Sequence, residues 1–535
     1  MNGYLIALVV FILWIMLVYT LHRLKWFDRH NMSLMGPMIM WKTRKGRDFI
    51  DRLSRRKGIW VNYGRAAIWI CAGAMLTIMA LLLWEATIVS MVDEPPAPEL
   101  ILGIPGLNPV IPVGYGIFGL VVAIVIHELA HGILTRTAGI KVESLGIVFL
   151  VFPVGAFVEP DEKSLQATTR RNRSRVFAAG PASNLVLAMI VLALFSGVMM
   201  SSLEADHEGA LAIGVVEDSP IARAGVDPNS LLVSVGGVQI SNASDLETLA
   251  SLEPGEKVSV VYYYGDRQES ANDVVYGVVI GYVAEGFAAQ EAGLEPSMVL
   301  LSLNDSPVLN ADVLSDIMGE CSAGQVVSIS VMGYDEASEE FVVDTSITEI
   351  ELSDKWEYYD QFNPDANNEE FRGVAWLGGG FLDFGVRAED SSYYADFLGN
   401  PFSDMDGFSD FSRAWLRLIA LPFLDLAPVH SPVTDLYHPS GSMEWMPDSA
   451  FWLVANALYW VFWLNLMLGL TNVLPAVPLD GGYIFRDGID YLLSRTRKPY
   501  SKEQRDSITG SISVGLALLV LMLILWQIAG PAILN

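Results

Sequence analysis

Apolar runs of membrane-crossing length alternate with short charged stretches along most of this chain. Uncharged or nearly uncharged runs occur at 4–21, 66–92, 110–134, 176–203, 449–478 and 508–530. A helix needs about 20 mostly apolar residues to cross a bilayer, so the pattern predicts six spans. The first run has no base before it and is followed by His22, Arg23 and Lys25, which reads as a retained helix rather than a cleaved signal. Two shorter runs do not fit as spans. Residues 144–158 (SLGIVFLVFPVGAFV) are broken by Gly and Pro and rich in β-branched and aromatic residues. They predict a hairpin or re-entrant segment, tolerated at membrane depth only where protein covers it or where it lines a cavity. Residues 413–428 are short, Pro-broken and flanked by charge, and predict an interfacial segment.

Charge adds a direction to this pattern. Residues 201–450 carry 44 Asp/Glu against 8 Lys/Arg, whereas the other 285 residues carry 17 acids against 25 bases. Those 25 bases fall in three stretches, 12 in 22–65, 7 in 135–175 and 6 in 480–507. Basic loops stay inside, so both termini, 93–109 and 201–450 are expected outside. The acidic balance disfavours nucleic acid as a partner. Two cysteines, Cys71 and Cys321, lie in regions of opposite character and cannot form a disulfide framework. Mean hydropathy of +0.38 excludes general disorder.

The acidic block contains a repeat. IGVVEDSPIARAGVDPNSLLVSVGGVQI (213–240) is echoed by IGYVAEGFAAQEAGLEPSMVLLSLNDSPV (280–308). Each copy reads as strand, turn, short helix ending in Ala-Gly, strand and tight turn. A helical stretch (243–251, 311–318) and a closing strand (258–263, 326–332) follow each copy. This order resembles tandem PDZ domains, which hold extended peptides along a sheet edge. Ser230 and Ser297 stand where Gly-Asp commonly precedes the strand, so steric filtering is as good a reading as peptide binding. Residues 336–412 receive no role.

The chemistry falls inside the third span, VVAIVIHELAHGILT. His127 and His131 are four apart and share one helix face, with Glu128 adjacent. Two imidazoles at that spacing can hold one zinc ion, and the carboxylate can take a proton from water that the zinc activates. Each ionisable group in a lipid-soluble helix costs about 2.5 kcal/mol or more, which argues against an incidental motif. A catalytic zinc usually takes three protein ligands. Asp480, the first charge after the fifth run, lies at the matching depth in the Pro/Gly-broken segment TNVLPAVPLDGG.

HELAH (127–131), NVLPAVPLDGG (472–482) and AGPASN (179–184) together resemble the signatures of the site-2 protease family of intramembrane zinc metalloproteases, in the branch with PDZ domains between core spans. The resemblance implies zinc at His127, His131 and Asp480, Glu128 as general base, and Asn472 on the substrate backbone or oxyanion. It gives Asn184 a substrate contact, with a buried amide joining two helices as the alternative. Tyr483 follows Asp-Gly-Gly where many members have His. Spans one and two would lie outside the minimal core. Implied partners are transmembrane protein substrates and the bilayer, with the zinc site near the cytoplasmic face of the cell membrane; no oligomeric state is indicated.

The fold expected is therefore a polytopic α-helical membrane protein of about six transmembrane helices with an extracytoplasmic α+β insert of two PDZ-like domains. Its expected parts are 1–109 (two helices and a basic loop), 110–204 (catalytic core, first part), 205–270 and 271–335 (PDZ-like domains), 336–448 (acidic insert) and 449–535 (catalytic core, second part). Rival readings are an HExxH membrane protease of the prenyl-protein or heat-shock type, which would lack LDGG, and a zinc transporter or sensor.

Overall fold

The computed structural model describes residues 3–30, 32–89, 97–101, 103–150, 152–249, 252–362, 368–403, 405–496 and 500–534. The chain divides into two compact units. One is drawn from 1–195, 415–428 and 453–535, the other from 196–414 and 429–452.

The first unit holds the apolar helices. Among the described residues, five helices are long and apolar enough to cross a membrane: 57–88, 113–137, 170–202, 448–472 and 502–531. The first run forms helix α1 (Gly3–Arg23), whose apolar stretch counted among the described residues, Val9–Arg23, is shorter than a span. We label the others α2 (Lys57–Ile88), α3 (Val113–Thr137), α4 (Arg170–Leu194), α5 (Asp448–Asn472), α6 (Asp480–Ser494) and α7 (Lys502–Leu534). The fifth apolar run does not continue as helix to 478. It stops at Asn472, and α6 restarts at Asp480.

Local sequence explains where α3 ends. Gly139 adopts φ +82°, and Ile140 N–H reaches back to the Thr135 carbonyl, a glycine-capped helix terminus. The chain can then enter the expected hairpin, β3 (Val142–Leu150) and β4 (Phe152–Pro160). That hairpin is half of a larger sheet. Strands β1 (Met32–Met35) and β2 (Met38–Thr43), from the stretch read as a basic loop, extend it to the order β1-β2-β3-β4. Gly146 is required where β2 and β3 meet, because a methyl there would strike the Phe157 ring and the Trp41 carbonyl.

Close helix approach places the elements of the core. At Gly119 of α3 a methyl would lie 2.8 Å from the Trp460 carbonyl of α5. The second span packs against this core. Ala67, Cys71 and Met75 of α2 pack with Ala178 and Ala182 of α4, Val473 and Ile484, and Tyr63 Oη shares a 2.5 Å hydrogen bond with Ser183 Oγ. The segment 413–428 is helical up to Ala420 and strongly two-faced. Leu418 is buried while Phe408 and Leu416 are exposed, and the Leu418 carbonyl accepts from Tyr459 Oη.

The second unit contains two antiparallel sheets of like order. The first copy supplies Ala210–Val215, Ser230–Val235, Lys257–Tyr264 and Arg267–Val275; the second supplies Val278–Val283, Val299–Leu303, Val326–Asp335 and Glu340–Val343. Each sheet is completed by a strand from outside the repeats. Val386–Asp390 pairs with Ala210–Val215, and Gly379–Asp383 pairs with Val278–Val283. Two consecutive strands within 336–412, the stretch left without a role, therefore edge the two sheets, one each. The left-handed positions before the second strands are Asn229 (φ 69°) and Ser297 (φ 75°), where a glycine would ordinarily relieve strain.

Candidate metal centre

His127 and His131 lie one helical turn apart on α3, and Asp480 is the first residue of α6. The segment 473–479 brings Asp480 to them by folding tightly against the start of α6. At Gly482 a methyl would lie 2.5 Å from Val477 N, and at Gly481 it would overlap the Val473 carbonyl, so neither position admits a side chain. His127 Nε2 and His131 Nε2 are 3.0 Å apart, and Asp480 Oδ2 is 3.2 Å from the first and 3.1 Å from the second. The three atoms form a nearly equilateral triangle in a dry place. His127 is 7% exposed, and the Asp480 side chain 15%.

The rest of the imidazole environment tests whether a zinc fits. His131 Nδ1 is 2.7 Å from the Val176 carbonyl, so Nδ1 carries the proton and Nε2 offers a lone pair. Asn184 of α4, wholly buried, stands 3.3 Å from His127 Nδ1 through Nδ2, which leaves its Oδ1 buried without a partner. Turning the amide over satisfies both groups, since Oδ1 then accepts from a protonated His127 Nδ1. Both Nε2 atoms and the carboxylate oxygen are then acceptors facing one another at about 3 Å, an arrangement that only a shared cation makes favourable. Tetrahedral zinc with bonds of about 2.0–2.2 Å separates its ligands by roughly 3.3–3.5 Å, close to this triangle. Gly180 of α4 leaves the space open, because a methyl there would sit 2.6 Å from His127 Nε2 and closer still to His131 Nε2. The residues fit the ion.

The Glu128 carboxylate reaches the sheet. Its Oε2 accepts the Val158 backbone N–H of β4 at 2.8 Å. Because Val158 pairs with Leu145 across the hairpin yet gives this N–H to Glu128, the outer edge of β4 meets the motif helix at the carboxylate. No side-chain pattern announces a backbone donor, and sequence reasoning missed it. Asn472, the last residue of α5, donates from Nδ2 to the Leu468 carbonyl at 3.0 Å and is not among the groups drawn to the triangle. Asn184 is wholly buried and lies against His127, the position that the buried-amide alternative describes.

An HExxH helix joined by an aspartate from a second apolar segment, inside a bundle of membrane-length helices, defines a membrane-embedded zinc metalloprotease site. The family model for peptidase family M50 matches residues 115–522, and the chain belongs to that family. It is similar to an uncharacterized protein of Methanocaldococcus jannaschii, 29% identical over 266 residues covering 48% of this chain and 66% of that one. It is also similar to a membrane-bound transcription factor site-2 protease homolog of Arabidopsis thaliana, 28% identical over 181 residues covering 33% and 35%. A candidate zinc metalloprotease of Neisseria meningitidis aligns over 460 residues at 22% identity, covering 76% and 96%. The chain thus spans only part of the first two relatives, 66% and 35% of their lengths.

Proposed function

We propose that this protein is an intramembrane zinc metalloprotease that hydrolyses peptide bonds within or beside transmembrane segments of other membrane proteins. The observation that carries the reading is the convergence of His127, His131 and Asp480 on one point inside the apolar bundle. Zinc held there would supply Lewis-acid polarisation of the scissile carbonyl and activation of water.

The chain's own groups supply the rest. Glu128 takes the proton of the attacking water and returns it to the leaving amine. The Val158 N–H holds that carboxylate between the metal ligands and the β4 edge. A helical substrate hides its carbonyls in i→i−4 bonds and must be drawn into an extended strand before attack. The β4 edge suits that task, since a sheet edge binds extended backbone through its own N–H and C=O groups. Asn472, at the mouth of the ligand segment, would bind substrate backbone or the oxyanion once its amide leaves Leu468. Asn184 and the Val176 carbonyl fix the imidazole tautomers.

Charge alternation supports a site near the inner face, with both termini and the acidic unit outside. With the acidic unit outside, its PDZ-like domains would not hand a chain end to the metal. They would instead exclude substrates that still carry bulky outer domains. Co-expression with single-span proteins, with fragments compared by mass spectrometry, tests the activity. Wild type should generate cleavage within or beside the span, and Glu128→Gln should lose it while keeping its zinc; equal cleavage by both would refute the proposal.

A further inference from the structure

Inward from the metal, α4 and α6 face each other through a ladder of pairs one helical turn apart. Gly180 and Asp480 form the metal layer. One turn further, Phe177 and Tyr483 stack with ring centroids 4.5 Å apart and planes 10° from parallel. One turn beyond that, Arg173 Nε donates to both Asp487 oxygens at 3.1 Å, and Ser174 Oγ donates to the same carboxylate. A polar cavity of about 900 Å³ opens at this third layer, with Arg170, Arg173, Asp487, Asp490 and Arg505 in its wall. Arg170 and Arg505 both pair with Asp490, so the wall is held rigid by ion pairs. Phe177 and Tyr483 also line it, each about one helical turn from the metal layer along its own helix.

The layers differ sharply in chemistry. A charged vestibule lies on one side of the two stacked rings along α4 and α6, and a largely buried metal triangle on the other. We propose that the Phe177–Tyr483 stack is a gate that sets the access of water and small hydrophilic solutes from the inner vestibule to the metal layer. The inference rests on the protease reading only for its purpose, since hydrolysis consumes one water per bond. A stacked pair is weakly held and parts readily, and either ring can swing without breaking a helix hydrogen bond. The stack needs ring faces and not the phenol, because no hydrogen bond of the Tyr483 hydroxyl is present among the described residues.

The test is the rate at which a hydrophilic chelator, EDTA, strips zinc from full-length purified protein in bilayer nanodiscs without substrate. Phe177→Ala and Tyr483→Ala should accelerate the loss by about tenfold, the factor that removing a stack's attraction allows. Tyr483→Phe should match wild type. A lipid-permeant chelator, 1,10-phenanthroline, which can approach through the bilayer, should strip all four proteins at similar rates. Phe177→Leu and Tyr483→Leu retain bulk, so acceleration in them as well would show that flat rings are needed. Unchanged EDTA rates in the alanine variants would overturn the gate, as would equal acceleration with both chelators, which would mean general loosening. Failure of the protease reading would appear in the Glu128→Gln comparison and not in these ratios.

Discussion

A methyl group at Gly180 would fall among the Nε2 atoms of His127 and His131, in the space a shared ion must take. Alanine is the better helix former by about 1 kcal/mol, which offsets part of the cost of displacing the two imidazoles, so Gly180→Ala should keep the fold. We expect its zinc affinity, measured by chelator competition, to fall at least about a hundredfold, beyond the loss typical of supporting groups around a metal. Undiminished affinity would mean that the ion sits elsewhere. Residues of this kind show how far one-dimensional reading reaches. His127, Glu128, His131 and Asp480 were legible because ionisable groups inside apolar runs demand an explanation and because i, i+4 spacing fixes their common face. Asn184 was legible as a polar interruption but not as a partner of His127, since that contact joins two helices 57 positions apart. The Val158 donor and the Phe177–Tyr483 stack were not legible, for neither residue type signals its partner.

Among the elements, hydropathy predicted the long helices well, while the sheets needed partners that it could not supply. The 32–43 hairpin lies in a stretch dominated by bases and was read as loop, yet its Met-rich strands extend the 142–160 hairpin through the pairing of β2 with β3. The two edge strands within 379–390 escaped for another reason: each belongs to a sheet made by a distant repeat. The first of them also places Asp383 against the start of the helix Ala311–Gly319, where Oδ1 accepts the Ala311 N–H at 2.6 Å. Burial raises the Asp383 carboxyl to about 6 from an ordinary 3.8, with Glu247 and Asp312 adding to the rise and the Ala311 bond opposing it. Between those values the folded protein binds a proton that the unfolded chain has lost, so stability falls as pH rises. The contribution of this one carboxyl is fully present below about pH 4 and is lost as pH passes 6. Asp383→Asn, which keeps the acceptor, should flatten the slope between pH 4 and 6 in thermal unfolding of the full-length protein. An unaltered slope would place the proton elsewhere.

At the scale of the molecule, two kinds of material are sorted by charge: a weakly basic apolar unit that holds the chemistry and an acidic unit built from a duplicated fold. Duplication and charge were both readable from the chain. Because two consecutive strands within 379–390 edge the two sheets, the acidic unit should be removed through 390 rather than cut after the repeats at 335. Deleting 210–390 should widen the set of membrane proteins cleaved on co-expression, and an unchanged set would contradict the filtering role. The catalytic expectations depend on a metal ion shared between α3 and α6. Metal analysis of purified wild type and Asp480→Ala tests that most directly. The account predicts one zinc per wild-type chain and little in the variant. An Asp480→Ala protein that retained a full equivalent of zinc would contradict it.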